Sequence, residues 1–544
     1  MMAHTEMKPY RVVHHTQSLC PRCLARIPAR YEQRSHEVWL VKECPEHGRT
    51  ETPVWRGGPD MSTWLRPKLP TPPAPLGTVD RGCPFDCGLC PQHNQHTCTA
   101  VFEVTTRCNL RCRYCFAAAQ DDETQTLQPS AHVGDPPLHT LVALLEAVRQ
   151  KTGPCNIQLS GGEPTLRHDL CDIVSHARRL FPFVQLNTNG ILLGRQPSLA
   201  HDLARAGLDS VFLQFDGTSQ DIHEALRGAP LLDDKRRAID ALGEAGVGVV
   251  LVPTVVPGVN DHDVGAIIRL GMSLAPAVRG VHFQPVSHFG RHPSCQGAPS
   301  PSARITLPEL MHRLEEQTAG MVQVVDFLPP GCEHSLCSFH ANYLVREDGT
   351  LMRVSAPRAE SAPPAHPALD GAIAARAFVR RQWAAPGHGA PVHDACGCGT
   401  DGTTSAAMTA PISSVNADVS SSCPAAPCGH SPSPSGNAAS APSTAVSSGT
   451  SRNISPDTSD VVSPAIAGQP RPDHAGDDLD RFLARAATHL FAISAMAFQD
   501  AWNLDLERLQ GCCIHAVTTD GALIPFCAWN CTAADGTPLY RGRT

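Results

Sequence analysis

Cysteine clustering constrains this chain more than any other feature of its sequence. The 544 residues contain 23 cysteines, and most of them stand in tight groups. The first residues show no apolar block of the kind a signal peptide carries, and no apolar run approaches the roughly 18 residues that span a bilayer. We therefore expect a cytoplasmic protein without a transmembrane segment. Because the cytoplasm keeps thiols reduced, the groups favour zinc or iron–sulfur sites over disulfides.

Composition divides the chain into parts. We predict a Cys-rich N-terminal region over residues 1–100, a core over 101–290, an accessory region over 291–356, a linker over 357–478 and a C-terminal part over 479–544. The linker is rich in Ser, Ala, Pro and Gly, and such a composition buries too little apolar surface to offset the entropy of ordering. The formal net charge of −8 argues against a nucleic-acid partner.

Short apolar runs alternate with helical segments in the core. The predicted strands cover residues 101–105, 156–160, 184–188, 210–215, 247–252 and 280–284. This alternation predicts an α/β fold with a parallel sheet, whose strands curl into a full or partial barrel. Ligands of such folds bind at the C-terminal ends of the strands.

Two hairpins are predicted outside the core. Asp348-Gly349 and Asp520-Gly521 each lie between apolar runs, which is a strong hairpin signal. Cysteines flank both hairpins, and the segment 479–509 is predicted as a helix. Together these features indicate one small α+β accessory domain that the linker interrupts.

The first core strand runs into a loop with three cysteines, Cys108, Cys112 and Cys115, in the spacing Cys-x3-Cys-x2-Cys. A [4Fe–4S] cube normally takes four thiolates, so three on one loop leave one iron open to another ligand. A structural zinc site that borrows a fourth ligand is the alternative.

The second core strand is followed by Gly161, Gly162, Glu163 and Pro164. The two glycines allow the backbone to come close to a ligand. Glu163 and the neighbouring carbonyls are candidates to accept hydrogen bonds from an ammonium group. Taken alone, the same residues are also compatible with an ordinary strand-to-helix turn.

The three-cysteine loop and the Gly-Gly-Glu-Pro turn on successive strands resemble the radical S-adenosylmethionine (SAM) superfamily. The resemblance implies a partial (β/α)6 barrel with a Cys-rich N-terminal region and a C-terminal accessory domain of the SPASM or twitch kind. It implies that Cys108, Cys112 and Cys115 hold the cluster and that SAM binds the open iron. The implied SAM- or substrate-side residues are Gly161, Gly162, Glu163, Pro164, Thr188, Asn189, Gln214 and Asp216.

The resemblance also implies a mechanism. The reduced cluster donates one electron to SAM, and a 5′-deoxyadenosyl radical then abstracts hydrogen from an unactivated carbon. The cofactor supplies this chemistry, so no catalytic residue is assigned beyond the cluster. A low-potential donor of the flavodoxin or ferredoxin type is the expected electron source. His282, Gln284 and His288, at the end of the sixth strand, are candidates to line the pocket.

Further cysteine groups predict additional metals. One auxiliary [4Fe–4S] cluster, or a zinc ion, is predicted at Cys83, Cys87, Cys90 and Cys98, and a single zinc or iron at Cys20, Cys23, Cys44 and His47. A second auxiliary cluster is predicted at Cys332, Cys337, Cys512 and Cys527, with Cys513 and Cys531 as competing ligands.

Motifs at both ends resemble the radical SAM branch that contains tetraether lipid synthase and a pterin-modifying methylase, and also the TrsS-type (seleno)proteins. That branch implies methylation or carbon–carbon coupling on a small molecule or lipid. Two alternatives remain open at this point. One is a maturase that modifies a peptide or partner protein, and the other is a non-catalytic zinc or iron–sulfur scaffold.

Overall fold

The N-terminal region forms a four-stranded antiparallel sheet in the order β1-β2-β3-β4. The computed structural model describes residues 10–121, 135–293, 300, 303–355, 365–386 and 474–542. The first elements are β1 (Arg11–Leu19), β2 (Arg26–Arg34), β3 (Glu37–Cys44), β4 (Gly48–Arg56), α1 (Met61–Trp64) and β5 (Lys68–Leu69). Cys20 and Cys23 follow β1 and Cys44 ends β3, so the turns that carry the N-terminal cysteines lie at one end of this sheet.

The core alternates strands and helices as predicted. Its elements are β6 (Thr99–Thr105), β7 (Arg107–Cys108), β8 (Gln120–Asp121), α2 (Leu138–Thr152), β9 (Asn156–Gly161), α3 (Leu170–Leu180), β10 (Phe183–Thr188), α4 (Ile191–Arg195), α5 (Ser198–Ala206), β11 (Ser210–Gln214), α6 (Gln220–Arg227), α7 (Leu232–Glu244), β12 (Gly248–Val252), β13 (Thr254–Val255), α8 (Val264–Ser273) and β14 (Val278–Pro285). Strands β6, β9, β10, β11, β12 and β14 are neighbours in that order and all parallel. The predicted six-stranded α/β barrel is therefore confirmed. Every residue of β12 is buried, which is typical of a strand covered on both faces.

The C-terminal part extends the same sheet on both sides. It contains α9 (Leu307–Gln317), β15 (Ser338–Val345), β16 (Leu351–Arg353), β17 (His366–Pro367), α10 (Ala368–Trp383), α11 (His474–Thr488), β18 (Leu490–Met496), α12 (Leu506–Gln510), β19 (Ile514–Val517), β20 (Leu523–Pro525) and α13 (Phe526–Asn530). Strand β18 lies parallel to β14, and β19 lies parallel to β6. The predicted hairpins, β15–β16 and β19–β20, therefore stand at opposite edges of the barrel sheet.

The prediction of one helix over residues 479–509 is wrong in its second half. Helix α11 ends at Thr488, and Leu490–Met496 enters the sheet as β18. An apolar run of this length is compatible with a helix or a buried strand, and tertiary contacts decide between them. Gly280 of β14 allows β18 to lie directly beside β14, because a Cβ at position 280 would lie 2.2 Å from Ala492 O.

Helix α10 lies inside the segment that was predicted to be a linker. It packs on the start of β12, where a Cβ at Gly248 would lie 2.1 Å from Trp383 O. Arg279 of β14 donates through Nε to Gln382 O at 3.1 Å. Residues 387–473 of the predicted linker lie outside the described residues. In the described ranges no helix combines the length and apolar character needed to cross a bilayer.

A buried carboxylate joins the barrel to the C-terminal part. Asp500 is fully buried and accepts from Arg304 Nη2 at 2.7 Å, from His288 N at 2.6 Å and from Trp502 N at 3.0 Å. Burial raises the pKa of the Asp500 carboxyl, but Arg304 and His288 outweigh that effect and leave the pKa below its ordinary value. The carboxylate therefore stays ionised in the folded protein.

Replacing Asp500 by Asn is expected to destabilise the protein, because Arg304 keeps a buried charge without its partner. The expected loss is about 3–5 kcal/mol, seen as a lower urea midpoint at pH 7 under anaerobic conditions. Because the pKa is lowered in the folded state, this stabilisation is present above the unfolded pKa of about 4 and is lost as pH falls through the folded pKa. The difference from wild type should hence stay constant between about pH 8 and pH 5. Asp535→Asn, at an exposed turn, is the control; equal midpoints for D500N and D535N would contradict the assignment.

Candidate functional site

Three thiols stand on the loop of residues 108–115, the three-cysteine loop, which follows the first core strand. Cys108 ends β7, and Cys112 and Cys115 follow along the loop. All three thiols are free, and they line one cavity of about 280 Å³. Burial raises the pKa of Cys108 and of Cys112. A thiolate at either position thus needs a nearby cation, such as a metal, to stabilise its charge.

The loop after β14 holds the three-cysteine loop in place. Cys115 and Arg291 exchange two backbone hydrogen bonds of 2.9 Å, and the Arg291 side chain donates to Cys112 O at 2.9 Å. Gly290 has a φ of +62°, and a Cβ there would lie 2.4 Å from Cys115 O. A side chain at position 290 would therefore displace the three-cysteine loop.

The Gly161-Gly162 turn packs directly against the strand that leads into the three-cysteine loop. Gly162 N donates to Thr105 O at 2.8 Å, and Glu163 N donates to Arg107 O at 2.7 Å. A Cβ at Gly162 would lie 2.0 Å from Arg107 O, and one at Gly161 would lie 2.2 Å from Thr105 O. The sequence suggested that these glycines allow a ligand to approach. In the structure they line the cavity, but it is contact between two backbone segments that requires glycine.

The Glu163 carboxylate is buried and orders the ends of β9 and β10. It accepts from Thr188 Oγ1 at 2.6 Å, from Asn189 N at 2.7 Å, and from Thr165 Oγ1 at 2.6 Å. Burial raises the pKa of Glu163 although these donors oppose the shift. The carboxylate already has donors from the chain, so the backbone carbonyls of the turn are the better acceptors for an ammonium group. Pro164 begins a short 3-10 helix, Pro164–Leu166.

Asp216 lies behind the cavity wall and positions an arginine that the sequence reasoning missed. Its carboxylate accepts from Arg227 Nε at 2.7 Å and from Arg227 Nη2 at 2.6 Å. Arg227 also donates to Tyr114 O and to Thr254 Oγ1, both at 2.9 Å, and it lines the cavity beside Cys112. Asp216 therefore acts through Arg227 and not by facing the cavity itself.

Lys235 is a second buried cation that the sequence reasoning missed. Its Nζ donates to Asn189 O at 2.9 Å and to Gln214 Oε1 at 3.0 Å, and so it connects two of the predicted site residues. Burial lowers the pKa of Lys235 to about 8. A signal was present in the sequence, because Lys235 shares the buried helical face of Ala238, Ile239 and Leu242.

The cavity continues from the three-cysteine loop down between the strands. Thr188, Asn189 and Gln214 line its upper part. Its lower wall is formed by carboxamide and aromatic side chains of Asn156, Gln158, Gln185, Asn187, Phe212, His282, Gln284 and Trp383.

The N-terminal ligand set is brought together as the sequence predicts. The ligand atoms of Cys20, Cys23, Cys44 and His47 all lie within 4.8 Å of one another. Cys44 Sγ is 3.5 Å from His47 Nδ1, and Cys23 Sγ is 3.9 Å from Cys44 Sγ. Desolvation raises the pKa of the Cys44 thiol, but hydrogen bonds, first among them one with His47, lower it to about 6. Three thiols and one imidazole at these distances suit a single tetrahedral ion.

The sequence predicts that Cys98 shares a site with Cys83, Cys87 and Cys90, and this prediction is wrong. Its thiol lies within 4.8 Å of those of Cys332 and Cys513, and these two sulfurs are 3.4 Å apart. The reason is that Cys98 begins the approach to β6, whose neighbour in the sheet is β19, and Cys98 N donates to Cys513 O at 2.7 Å.

The other three cysteines of that set remain on one loop. Contact with Cys83 and burial both raise the pKa of Cys87, and Cys90 is close enough to add to the shift. Asp86 shapes this loop by accepting from the backbone N of Arg81 at 2.7 Å and of Gly82 at 2.6 Å.

The predicted set Cys332, Cys337, Cys512 and Cys527 is also divided. Cys337, Cys512 and Cys527 line a small cavity of about 30 Å³, whereas Cys332 joins Cys98 and Cys513. Cys513 also lines this small cavity, while its sulfur lies 3.4 Å from that of Cys332. The sequence could not show which of the two neighbouring thiols each group receives.

Two family models match parts of the chain. The radical SAM superfamily model matches residues 102–271, which run from β6 into α8. A model described as the HMPTM N-terminal zinc ribbon domain matches residues 12–56, the four-stranded N-terminal sheet.

Similarity to one curated protein extends over nearly the whole chain. The 7,8-dihydro-6-hydroxymethylpterin dimethyltransferase of Methanocaldococcus jannaschii is 32% identical over 539 residues, 95% of this chain and 93% of that protein. A probable GTP 3′,8-cyclase of Thermoplasma volcanium is 33% identical over 28% of this chain and 44% of its own length. The PqqA peptide cyclase of Streptomyces rochei is 32% identical over 32% of this chain and 44% of its own length.

The full-length relative and the family model agree with the site geometry. Both cover the strand ends that carry the three-cysteine loop, the Gly161-Gly162 turn and Arg227. The chain therefore belongs to the radical SAM superfamily, whose members are enzymes that bind SAM and a [4Fe–4S] cluster.

Proposed function

We propose that this enzyme attaches methyl groups to a carbon of a 7,8-dihydropterin. The observation that carries the proposal is similarity to the pterin dimethyltransferase over nearly the full length of both chains, including the N-terminal zinc ribbon as well as the barrel. Of the two alternatives, a non-catalytic scaffold is excluded because the chain belongs to a family of enzymes. A peptide substrate is named for relatives such as the PqqA peptide cyclase, which matches 32% of this chain.

The cavity lining supports a heterocycle over a lipid. Carboxamides line its lower wall together with aromatic rings, among them Asn156, Gln158 and Asn187. A lipid chain offers nothing to hydrogen-bond with these groups, and buried carboxamides without partners are costly. A pterin ring carries both donors and acceptors and is flat enough to lie against an aromatic face.

The three-cysteine loop fits a SAM-binding cluster. Its three free thiols line the cavity, and they would hold three irons and leave the fourth accessible from it. When bound, a reduced cluster would supply the one electron needed for reductive cleavage of SAM, and with it the radical chemistry that activates a C–H bond of the substrate. A flavodoxin- or ferredoxin-type donor restores the electron. A second SAM molecule would supply the methyl group and leave as S-adenosylhomocysteine, and one further electron from the same donor would balance its transfer to the substrate radical.

Three groups around the loop are suited to hold SAM. The backbone carbonyls of Gly161 and Gly162 would receive its ammonium group, and the Arg227 guanidinium would pair with its carboxylate. Asp216 fixes the orientation of that guanidinium. Lys235 holds Asn189 and Gln214 at the cavity wall, so it acts as a positioning residue.

The remaining thiols are proposed to hold further metals in ligand sets revised by the structure. These sets are Cys20, Cys23, Cys44 and His47 for one zinc or iron; Cys83, Cys87 and Cys90; Cys98, Cys332 and Cys513; and Cys337, Cys512 and Cys527. Each of the last three needs a further ligand to complete four-coordination.

Replacing Cys112 by Ala is expected to abolish SAM cleavage, because the cluster loses one of three protein ligands. The measurement is 5′-deoxyadenosine formed by dithionite-reduced, anaerobically reconstituted enzyme. Cys171→Ala is the matched control, since this half-buried thiol lies on α3 away from the cavity. Cleavage of SAM by C112A at the wild-type rate would contradict the cluster assignment.

Replacing Gly162 by Ala is expected to slow SAM cleavage by about 100-fold, since a misplacement near 1 Å can cost that much. The added Cβ would lie 2.0 Å from Arg107 O and must push the turn and the three-cysteine loop apart. Gly77→Ala, where a Cβ meets nothing within 4 Å, should leave the rate unchanged. The test fails if G162A and G77A cleave SAM equally fast.

Incubation with 6-hydroxymethyl-7,8-dihydropterin, SAM and reductant is expected to give pterins heavier by one and two methyl groups. Substrate labelled with deuterium at the reacting carbon should transfer that deuterium to 5′-deoxyadenosine, and [methyl-13C]SAM shows whether SAM supplies the methyl carbon. Mass spectrometry reads both labels. Unchanged pterin together with continuing deoxyadenosine formation would refute the proposed substrate while leaving the radical SAM chemistry in place.

A further inference from the structure

The lower half of the cavity contains side chains that the SAM site does not use. We call these six residues the amide–aromatic slot: Asn156, Gln158, Asn187, Phe212, His282 and Trp383. They come from β9, β10, β11, β14 and the end of α10. None of the six is an acid or a strong base, which separates the slot from the region around Arg227.

Two carboxamide oxygens in the slot have no donor within the described residues. The oxygens are Asn156 Oδ1 and Asn187 Oδ1, and both are buried atoms. The neighbouring Gln158 shows the contrast, because its Nε2 donates to Gln185 Oε1 at 2.9 Å. A buried acceptor without a donor is destabilising, so each oxygen is suited to receive an N–H from a ligand.

An aromatic surface lies beside Asn187. Phe212 is the direct neighbour of Asn187 across β10 and β11. The Phe212 ring is stacked on His282 with ring centroids 5.4 Å apart, and it meets Trp383 at 4.9 Å. His282 Nδ1 is 2.9 Å from Ser494 Oγ of β18, which fixes the imidazole. Burial lowers the pKa of His282 to about 4, so the ring is neutral at pH 7.

The positively charged groups around the cavity further restrict the class of ligand that it can bind. Within the described ranges, Arg227 is the one guanidinium or ammonium group that lines it, and the proposed function assigns that group to the carboxylate of SAM. A triphosphate therefore has no free cation to bind among these residues. An uncharged, flat ring with N–H donors matches both the unpaired acceptors and the aromatic surface.

We propose that Asn187 and the Phe212–His282–Trp383 surface recognise the ring of a flat, uncharged nitrogen heterocycle, with Asn187 Oδ1 accepting from a ring N–H and Asn156 Oδ1 serving the deeper end. This inference rests on the proposed function, in which the heterocycle is a pterin. Asn187 directly precedes Thr188, and Phe212 lies two residues, roughly 7 Å, before Gln214. A ring in the slot is accordingly next to Thr188 and Gln214, two of the predicted SAM- or substrate-side residues.

The test measures binding of 6-hydroxymethylpterin, 6-hydroxymethyl-7,8-dihydropterin, guanine and GTP to the reconstituted holoenzyme by anaerobic calorimetry. Asn187→Leu removes the acceptor at similar volume and is expected to weaken pterin binding about tenfold. Asn187→Asp keeps an acceptor oxygen and should stay within about threefold of wild type. Phe212→Leu should weaken binding about fivefold through the lost aromatic face. Iron content equal to wild type checks that each variant is folded.

Asn342→Leu is the matched control. Its Oδ1 is also a buried acceptor without a partner in the described residues, but it lies on β15 away from the cavity. This variant should bind pterin as wild type does.

The outcomes test the slot and the proposed function separately. Wild-type affinity in both N187L and F212L would overturn the slot, even if the wild-type enzyme methylates pterin. Binding of guanine but not pterin, lost in N187L, would support the slot and overturn the pterin assignment. Absence of binding to every heterocycle in the panel, or tight binding of GTP that N187L leaves unchanged, would also overturn the slot.

Discussion

Backbone contact between the Gly161-Gly162 turn and the end of β6 is the constraint on which the proposed SAM site depends. The two segments approach so closely that a Cβ at Gly162 would lie 2.0 Å from Arg107 O. This contact places the carboxyl end of β9 directly beside the three-cysteine loop. From the other side, Arg291 binds the same loop through the backbone of Cys115. The loop that carries the three thiols is thus held between two strand ends of the barrel.

The C-terminal part completes the barrel and also gathers the remaining thiols. Because β18 lies beside β14 and β19 lies beside β6, residues far apart in sequence meet at both edges of the six-stranded core. Cys513 reaches Cys98 by this route, and Cys527 reaches Cys337. The same segments place Phe498 and Phe526 at the cavity wall, with ring centroids 4.8 Å apart. The strands that extend the sheet therefore also bring these thiols together.

Local patterns predicted a large part of the fold and the nearest ligands. The six core strands follow from short apolar runs between helical segments, and each is found where the runs stand. Cys20, Cys23, Cys44 and His47 come together because tight turns within one small sheet carry them. In contrast, Leu490–Met496 has no local feature that separates a buried strand from a helix, and Trp383 of α10 lies in a segment whose composition predicted a linker.

The sequence by itself determined the features that depend on residues close together along the chain. These are the order of strands and helices, the three-cysteine loop, the Gly-Gly-Glu-Pro turn and the N-terminal ligand set. Only the tertiary structure decided which distant thiols share a group, which cations support the cavity and which carboxamides in it lack partners. The physical reason is that register and sheet order set these contacts. A thiol such as Cys98 has equally near candidates along the chain, and only the pairing of β6 with β19 selects Cys513 among them.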